Sequence, residues 1–244
     1  MQYHLNASGI CTTIDILERV IELDINNREE DNSVDSLTET AYKIIKEKIV
    51  SGELKPGEVI SISAMAKKLN ISRTPVTYAC QRLEQDKFLT IAPKQGVIIN
   101  TITINDAREI YELRAAIETY SAKRVFANIT KNDIDCLEKS YQKQVQAVKQ
   151  NDAKLFMSED IQFHKYLLKK YENSHFFSIV DNLFDRAYLL GVESCKNPTR
   201  LRESLNEHRR IIDCLINNDK NCFVEEVEKN ILNGFTSLTS NYMI

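Results

Sequence analysis

The chain has no tryptophan, and only 6 glycines and 4 prolines among its 244 residues. Glycine and proline punctuate turns and short strands, so their scarcity argues against a protein built mainly of hairpins and favours long helices. No stretch of eighteen apolar residues occurs, and the first residues show no basic segment leading into an apolar one. Neither a membrane span nor a secretory leader is therefore expected, and the cytoplasm is the expected compartment. Cysteines stand at 11, 80, 136, 195, 214 and 222 with no C-x-x-C pair, and several fall at apolar helix positions. Reduced core thiols are the expectation, with a redox-sensing thiol as the alternative.

A large excess of positive charge is also missing, since the formal net charge is −3. The balance is uneven along the chain. Residues 1–36 hold two basic and eight acidic side chains, whereas residues 37–102 hold ten basic against six acidic, an excess of four positive. The remainder is nearly balanced. The one basic stretch is where contact with a polyanion is expected.

Within that stretch Ile62, Met65, Ala66 and Leu69 recur at helical spacing, as do Val76, Ala79, Cys80 and Leu83 further on. Ser72 is placed to cap the second helix, predicted from about Ser72 to Asp86, and Pro75 is tolerated in a first turn that lacks helical amide partners. Two short helices joined by a tight Asn70-Ile71 turn are a helix-turn-helix candidate. The opening residues of its second helix, Ser72, Arg73, Thr74 and Thr77, offer a guanidinium fork for guanine or phosphate and hydroxyls for phosphate oxygens. From these residues alone an ordinary helical hairpin is the other reading. Phe88–Ala92 and Val97–Asn100 have strand composition and enclose the turn Pro93-Lys94-Gln95-Gly96. Helix-turn-helix plus basic-tipped hairpin is a winged helix-turn-helix, with Lys94, Gln95 and Gly96 at the wing.

From Thr103 onward the pattern changes to long amphipathic helices, predicted at 104–128, 131–150, 152–171, 175–190, 198–217 and 220–240. Thr130-x-x-Asp133 reads as a capping box with Asp in the Glu position, and Asn151-Asp152 and Asn218-Asp219 punctuate the others. The fold class expected is mainly α, a winged helix-turn-helix followed by an antiparallel bundle of six to seven helices. Three segments follow: 1–36, an N-terminal extension with a short helix suggested by Ile14, Leu17, Ile21 and Ile25 and an acidic linker at 26–35; 37–102, the winged helix-turn-helix with its DNA-binding candidates; and 103–244, the helical bundle. A hinge is expected near Ile99–Asn105. Arg114 and Glu118, four apart, read by spacing as a surface ion pair contributing a few tenths of a kcal/mol. Asp160 and His164 share one helical face, and with His208 from a later helix they form a candidate carboxylate-imidazole site for Zn²⁺, Ni²⁺ or Mn²⁺. A polar, water-holding cavity is the other reading of the same residues. His175 reads only as a helix-start residue.

The run Tyr42-x6-Ile49-x2-Gly52-x-Leu54-x-Pro56-Gly57, then Ser72-Arg73-Thr74-Pro75-Val76, Leu83 and Gly96-Val97, resembles the DNA-binding domain of the GntR family of bacterial transcription regulators. Arg114-x3-Glu118, Asp160-x3-His164, Asn173, Glu207-His208-x2-Ile211 and Asp219 resemble the FadR-like branch, with its helical C-terminal FCD domain. The resemblance implies a homodimeric, ligand-responsive regulator, most simply a repressor, on a near-palindromic double-stranded DNA operator. It implies a divalent metal at Asp160, His164, His208 and Asn230, beside a small organic acid whose carboxylate is held by Arg114. Asn230 departs from the family's usual His and offers a neutral oxygen, so metal binding should be weakened. Thr77 stands where members commonly carry Arg, and Ser63 near a usual basic position, so the operator should differ as well. A metal-dependent hydrolase using Asp160, His164 and His208 is the alternative function, but it leaves the winged helix unexplained and supplies no general base at a diagnostic spacing.

Overall fold

The computed structural model describes residues 34–242, so the expected N-terminal helix and most of the acidic linker lie outside the described residues. The chain divides into two compact units: the first takes the described residues up to Ile49 and Gly57–Ile99, and the second takes Val50–Pro56 and the described residues from Asn100 on.

In the first unit, α1 (Val34–Val50) buries Thr38, Ala41, Tyr42, Ile45 and Ile49, spaced as one helical stripe. The two-residue strand β1 (Val59–Ile60) leads into α2 (Ile62–Leu69), capped by the Ser61 hydroxyl, which accepts from Ala64 N at 2.9 Å. Asn70, in the left-handed region at φ 54°, ends α2, and the chain turns into α3 (Arg73–Gln85). Val76, Ala79, Cys80 and Leu83 fix α3 to the core, each without exposed surface. Strands β2 (Leu89–Ala92) and β3 (Gly96–Ile99) form the wing hairpin, and β1 adds antiparallel to β3, giving the order β1-β3-β2. Strand β1 is absent from the sequence reading because two residues display no period. Gly96, at φ +117°, is required at the wing's inner end: a Cβ there would lie 2.8 Å from Ile60 O.

Among the described residues the second unit holds six α-helices: α4 (Ile104–Val125), α5 (Lys131–Gln150), α6 (Ala153–Lys169), α7 (Ser174–Ser194), α8 (Pro198–Ile216) and α9 (Lys220–Tyr242). A 3₁₀ turn, Phe126–Asn128, ends the segment expected as one helix to 128. Both arms of the Thr130–Asp133 capping box are made, and Thr103 with Asp106 makes a second that sequence reading passed over. Asn173, Asn197 and Asp152 cap α7, α8 and α6 through their side-chain oxygens. One core cluster runs through Tyr111, Phe163, Leu167, Ile211, Ile212, Phe223, Val227 and Ile231. Burying each such side chain contributes about 1.5–3 kcal/mol, which orders helices that carry polar residues on their other faces. The reduced-thiol expectation holds for Cys80, Cys136 and Cys195 and is corrected at Cys214 and Cys222, which are joined as a disulfide across the α8–α9 connection. Those two residues close a tight loop around Asn218, so their sulfurs meet. Among the described residues no helix is long and apolar enough to cross a membrane.

Candidate functional site

On the winged unit, α3 turns its apolar stripe inward and leaves Ser72, Arg73, Thr74, Tyr78 and Gln81 exposed, with Thr77 half-buried. Ser72 occupies the N-cap position in extended conformation, but its hydroxyl makes no capping hydrogen bond. One of the two amides a cap can reach is missing locally: the third helical position is Pro75, which has no N–H to offer. The expected Ser72 cap is thereby corrected, and the hydroxyl and the first amides of α3 stay free to meet an anion. Thr77 differs in the opposite sense. Its hydroxyl donates to Arg73 O at 2.9 Å, so its proton is engaged within the helix. Lys94, at φ 65°, and Gln95 are exposed at the wing tip, and Gln95 N donates to Ala92 O at 3.1 Å to close the turn.

The second unit holds a small, partly open cavity whose walls include Tyr111, Arg114, Asp160, His164, Ser194, Arg200 and Asn230. Asp160, His164 and His208 are brought together: one ligand atom from each lies within 4.8 Å of the others, and all three residues are buried. His208 Nε2 is 3.3 Å from Asp160 Oδ1 and otherwise has no hydrogen-bond partner among the described residues. Its Nδ1 lies 2.6 Å from Gln144 Oε1, an acceptor that places the ring proton on Nδ1 and turns the Nε2 lone pair toward Asp160. Phe163 stacks on the same ring at 4.5 Å between centroids. Burial, and after it the neighbouring His164, hold the His208 imidazole well below its usual range, so the ring is neutral near pH 7 and able to ligate. Burial raises the Asp160 carboxyl, a shift that a bound cation would reverse.

His164 is held on both sides. Its Nδ1 lies 2.7 Å from Glu118 Oε2, outside good hydrogen-bond alignment, and its Nε2 lies 2.9 Å from Asn230 Oδ1. Arg114 Nε donates to Glu118 Oε1 at 2.8 Å. Burial alone would raise the Glu118 carboxyl, but Arg114 and then His164 outweigh it and hold it at about 2. The expected surface pair Arg114–Glu118 is thus corrected: both side chains are under 5% exposed, because this face of α4 packs into the bundle. Asn230 Nδ2 donates to Glu207 Oε2 at 2.9 Å, and Glu207 receives a bidentate pair from Arg200 at 2.8 and 2.9 Å. A continuous buried chain of polar groups therefore runs Arg114, Glu118, His164, Asn230, Glu207, Arg200 through α4, α6, α9 and α8. Sequence reading missed Gln144, Arg200 and the unpartnered Ser194 hydroxyl on the cavity wall. Gln144 carried a signal, since it continues the buried stripe of Leu137 and Ala147 on α5. Ser194 carried none.

Two family models match the chain: bacterial regulatory proteins of the gntR family over residues 37–99, and the FCD domain over residues 109–231. The gluconate operon transcriptional repressor of Bacillus subtilis is 28% identical over 180 residues, covering 71% of this chain and 70% of the relative. The transcriptional repressor RspR of Escherichia coli is 26% identical over 191 residues, covering 77% and 82%. The solved structure of E. coli McbR/YncC superposes with a TM-score of 0.72 at 22% identity, covering 84% of this chain and 98% of that one, a likeness of fold. The chain belongs to the GntR family of transcriptional regulators and joins its DNA-binding domain to an FCD domain.

Proposed function

We propose that the protein is a ligand-responsive repressor that binds a near-palindromic operator as a homodimer. A small carboxylate in the FCD cavity modulates its DNA affinity. The observation that carries the effector reading is the buried polar chain from Arg114 to Arg200, which joins four helices and places Arg114, His164, Asn230 and Arg200 on the wall of one cavity. An anion entering there competes for Arg114 and Arg200 and so perturbs all four at once. It can release DNA only to the extent that it binds the DNA-incompetent state more tightly.

The donor set fits a divalent transition metal. Two imidazoles and a carboxylate converge, the free Nε2 of His208 faces Asp160, and Gln144 and Glu118 hold the ring nitrogens turned away from the centre. Asp160, His164 and His208 would hold the ion, with the neutral Asn230 oxygen as a weak fourth donor. When bound, the metal supplies a Lewis-acidic point for an effector carboxylate oxygen. The hydrolase alternative gains no support. The nearest further acids, Glu118 and Glu207, are each held by arginine and by further polar partners, so neither is set to serve as a general base.

The purified protein should retard duplex DNA carrying its own promoter region. Gluconate is the first effector to test, because one relative is a gluconate operon repressor. A ligand at about 100 times its Kd should add about 2.7 kcal/mol to thermal stability. Arg73→Ala should cost about 1–3 kcal/mol on the operator and reduce discrimination against random DNA. Lys94→Ala should weaken binding to all sequences and flatten the salt dependence. Operator affinity unchanged in Arg73→Ala would overturn the recognition-helix assignment.

A further inference from the structure

The outward face of α3 carries a side chain without an assigned role. Taking 3.6 residues per turn, the direction opposite the buried Val76, Ala79, Cys80 and Leu83 runs through Thr74, Tyr78 and Gln81. Tyr78 is 49% exposed, one of three large apolar side chains so exposed among the described residues of the winged unit. The other two, Val34 and Val59, lie on α1 and β1. Tyr78 makes no hydrogen bond, ring contact or cation contact among the described residues. Its neighbours on α3 are committed differently. Arg82, at the back edge of the face, is bound to Glu39 at 2.7 Å and lies over the Tyr42 ring. The Thr77 proton is engaged by Arg73 O. Hydrogen-bond donors on this face include Thr74, Gln81 and Gln85, flanking an uncovered aromatic ring.

We infer that Tyr78 is the apolar reader of the recognition helix, its ring packing on the 5-methyl group of a thymine in each operator half-site. The inference rests on the reading of α3 as the helix that enters the major groove. Phosphates line the walls of that groove, and the groups suited to them, Ser72, the first α3 amides and Lys94, sit at the helix start and wing tip. Tyr78 lies a turn further on, in the outward stripe that meets the groove floor. The thymine methyl is the one apolar feature the floor presents, and it is read by apolar side chains. The excess of four positive charges on residues 37–102 favours duplex DNA, rather than a protein, as the partner of the unit that presents this face.

The test begins by selecting preferred duplexes from a random-sequence library with the full-length protein. Each thymine of the selected site is then replaced in turn by deoxyuridine, which removes only the methyl group. Affinities are measured for wild type, Tyr78→Phe and Tyr78→Ala. At one thymine per half-site, deoxyuridine should weaken wild type and Tyr78→Phe about fourfold, the loss of one buried methyl group. In Tyr78→Ala the same replacement should have no effect, and the preference for thymine over cytosine there should disappear. Absence of any methyl-sensitive thymine, or sensitivity that persists in Tyr78→Ala, overturns the inference. Loss of affinity in Tyr78→Phe with no deoxyuridine effect overturns it too, by assigning the hydroxyl to a phosphate. If selection yields no preferred sequence at all, the operator-binding reading itself fails, and the inference with it.

Discussion

Asn230 shows how one residue serves two neighbours at once. Its oxygen faces His164 and its amide nitrogen donates to Glu207, so it couples the metal-ligand cluster to the Arg200 ion pair. A histidine there would supply a nitrogen donor to a divalent cation. Asn230→His should therefore tighten Zn²⁺ and Ni²⁺ binding when either is titrated into chelator-treated protein. His208→Ala should abolish binding, and Gln144→Ala should weaken it about 10–100-fold by freeing the His208 ring to turn. Metal binding by His208→Ala equal to that of wild type would mean that these residues form no site.

Helix starts carry much of the bundle's local order, and α5 is the clearest case. Asp133 accepts from Thr130 N at 2.8 Å and from Tyr166 of α6 at 2.5 Å, and pairs with Lys170 at 3.0 Å. The carboxylate thus caps one helix and ties it to the next. Burial would raise its pKa, but hydrogen bonds from Tyr166 and Thr130 prevail and hold it below the usual aspartate value of 3.8. A depressed carboxyl contributes stability above its unfolded pKa and loses it as pH falls. Asp133→Ala should cost about 1–2 kcal/mol through the cap, and more through the stranded Tyr166 hydroxyl. Urea unfolding should show this deficit near neutral pH, and the gap from wild type should narrow as pH drops below 3.8. A gap that stays constant as the pH falls well below 3.8 would show that the charge of Asp133 is not what stabilises the helix start.

For the molecule as a whole, the modest charge of the winged unit bears on assembly. An excess of four positive charges supports few phosphate contacts, and one recognition helix spans only a few base pairs. Tight, specific binding then calls for two copies on a two-fold site. Sedimentation should show a dimer at micromolar concentration, two protomers per duplex, and protection of half-sites about 10 base pairs apart or a multiple of that. A monomer bound one-to-one would rule this assembly out.

Helix periodicity made most of the architecture legible in the amino-acid order. Stripes such as Val76, Ala79, Cys80 and Leu83, and polar caps such as Thr130 with Asp133, act within one or two turns, so local spacing reveals them. The family resemblance placed Asp160, His164, His208 and Asn230 in one set, and in the folded chain these side chains lie together. Other features depend on neighbours distant in sequence. Strand β1 exists only because β3 offers it a ladder. Arg114 and Glu118 read as a surface pair because spacing is blind to which helix covers which face. Packing buries them and sets the Glu118 carboxylate between a guanidinium and an imidazole 46 residues further along. Periodicity reports which face of a helix is apolar, but only packing decides which polar groups are drawn inside with it and what they must then pair with.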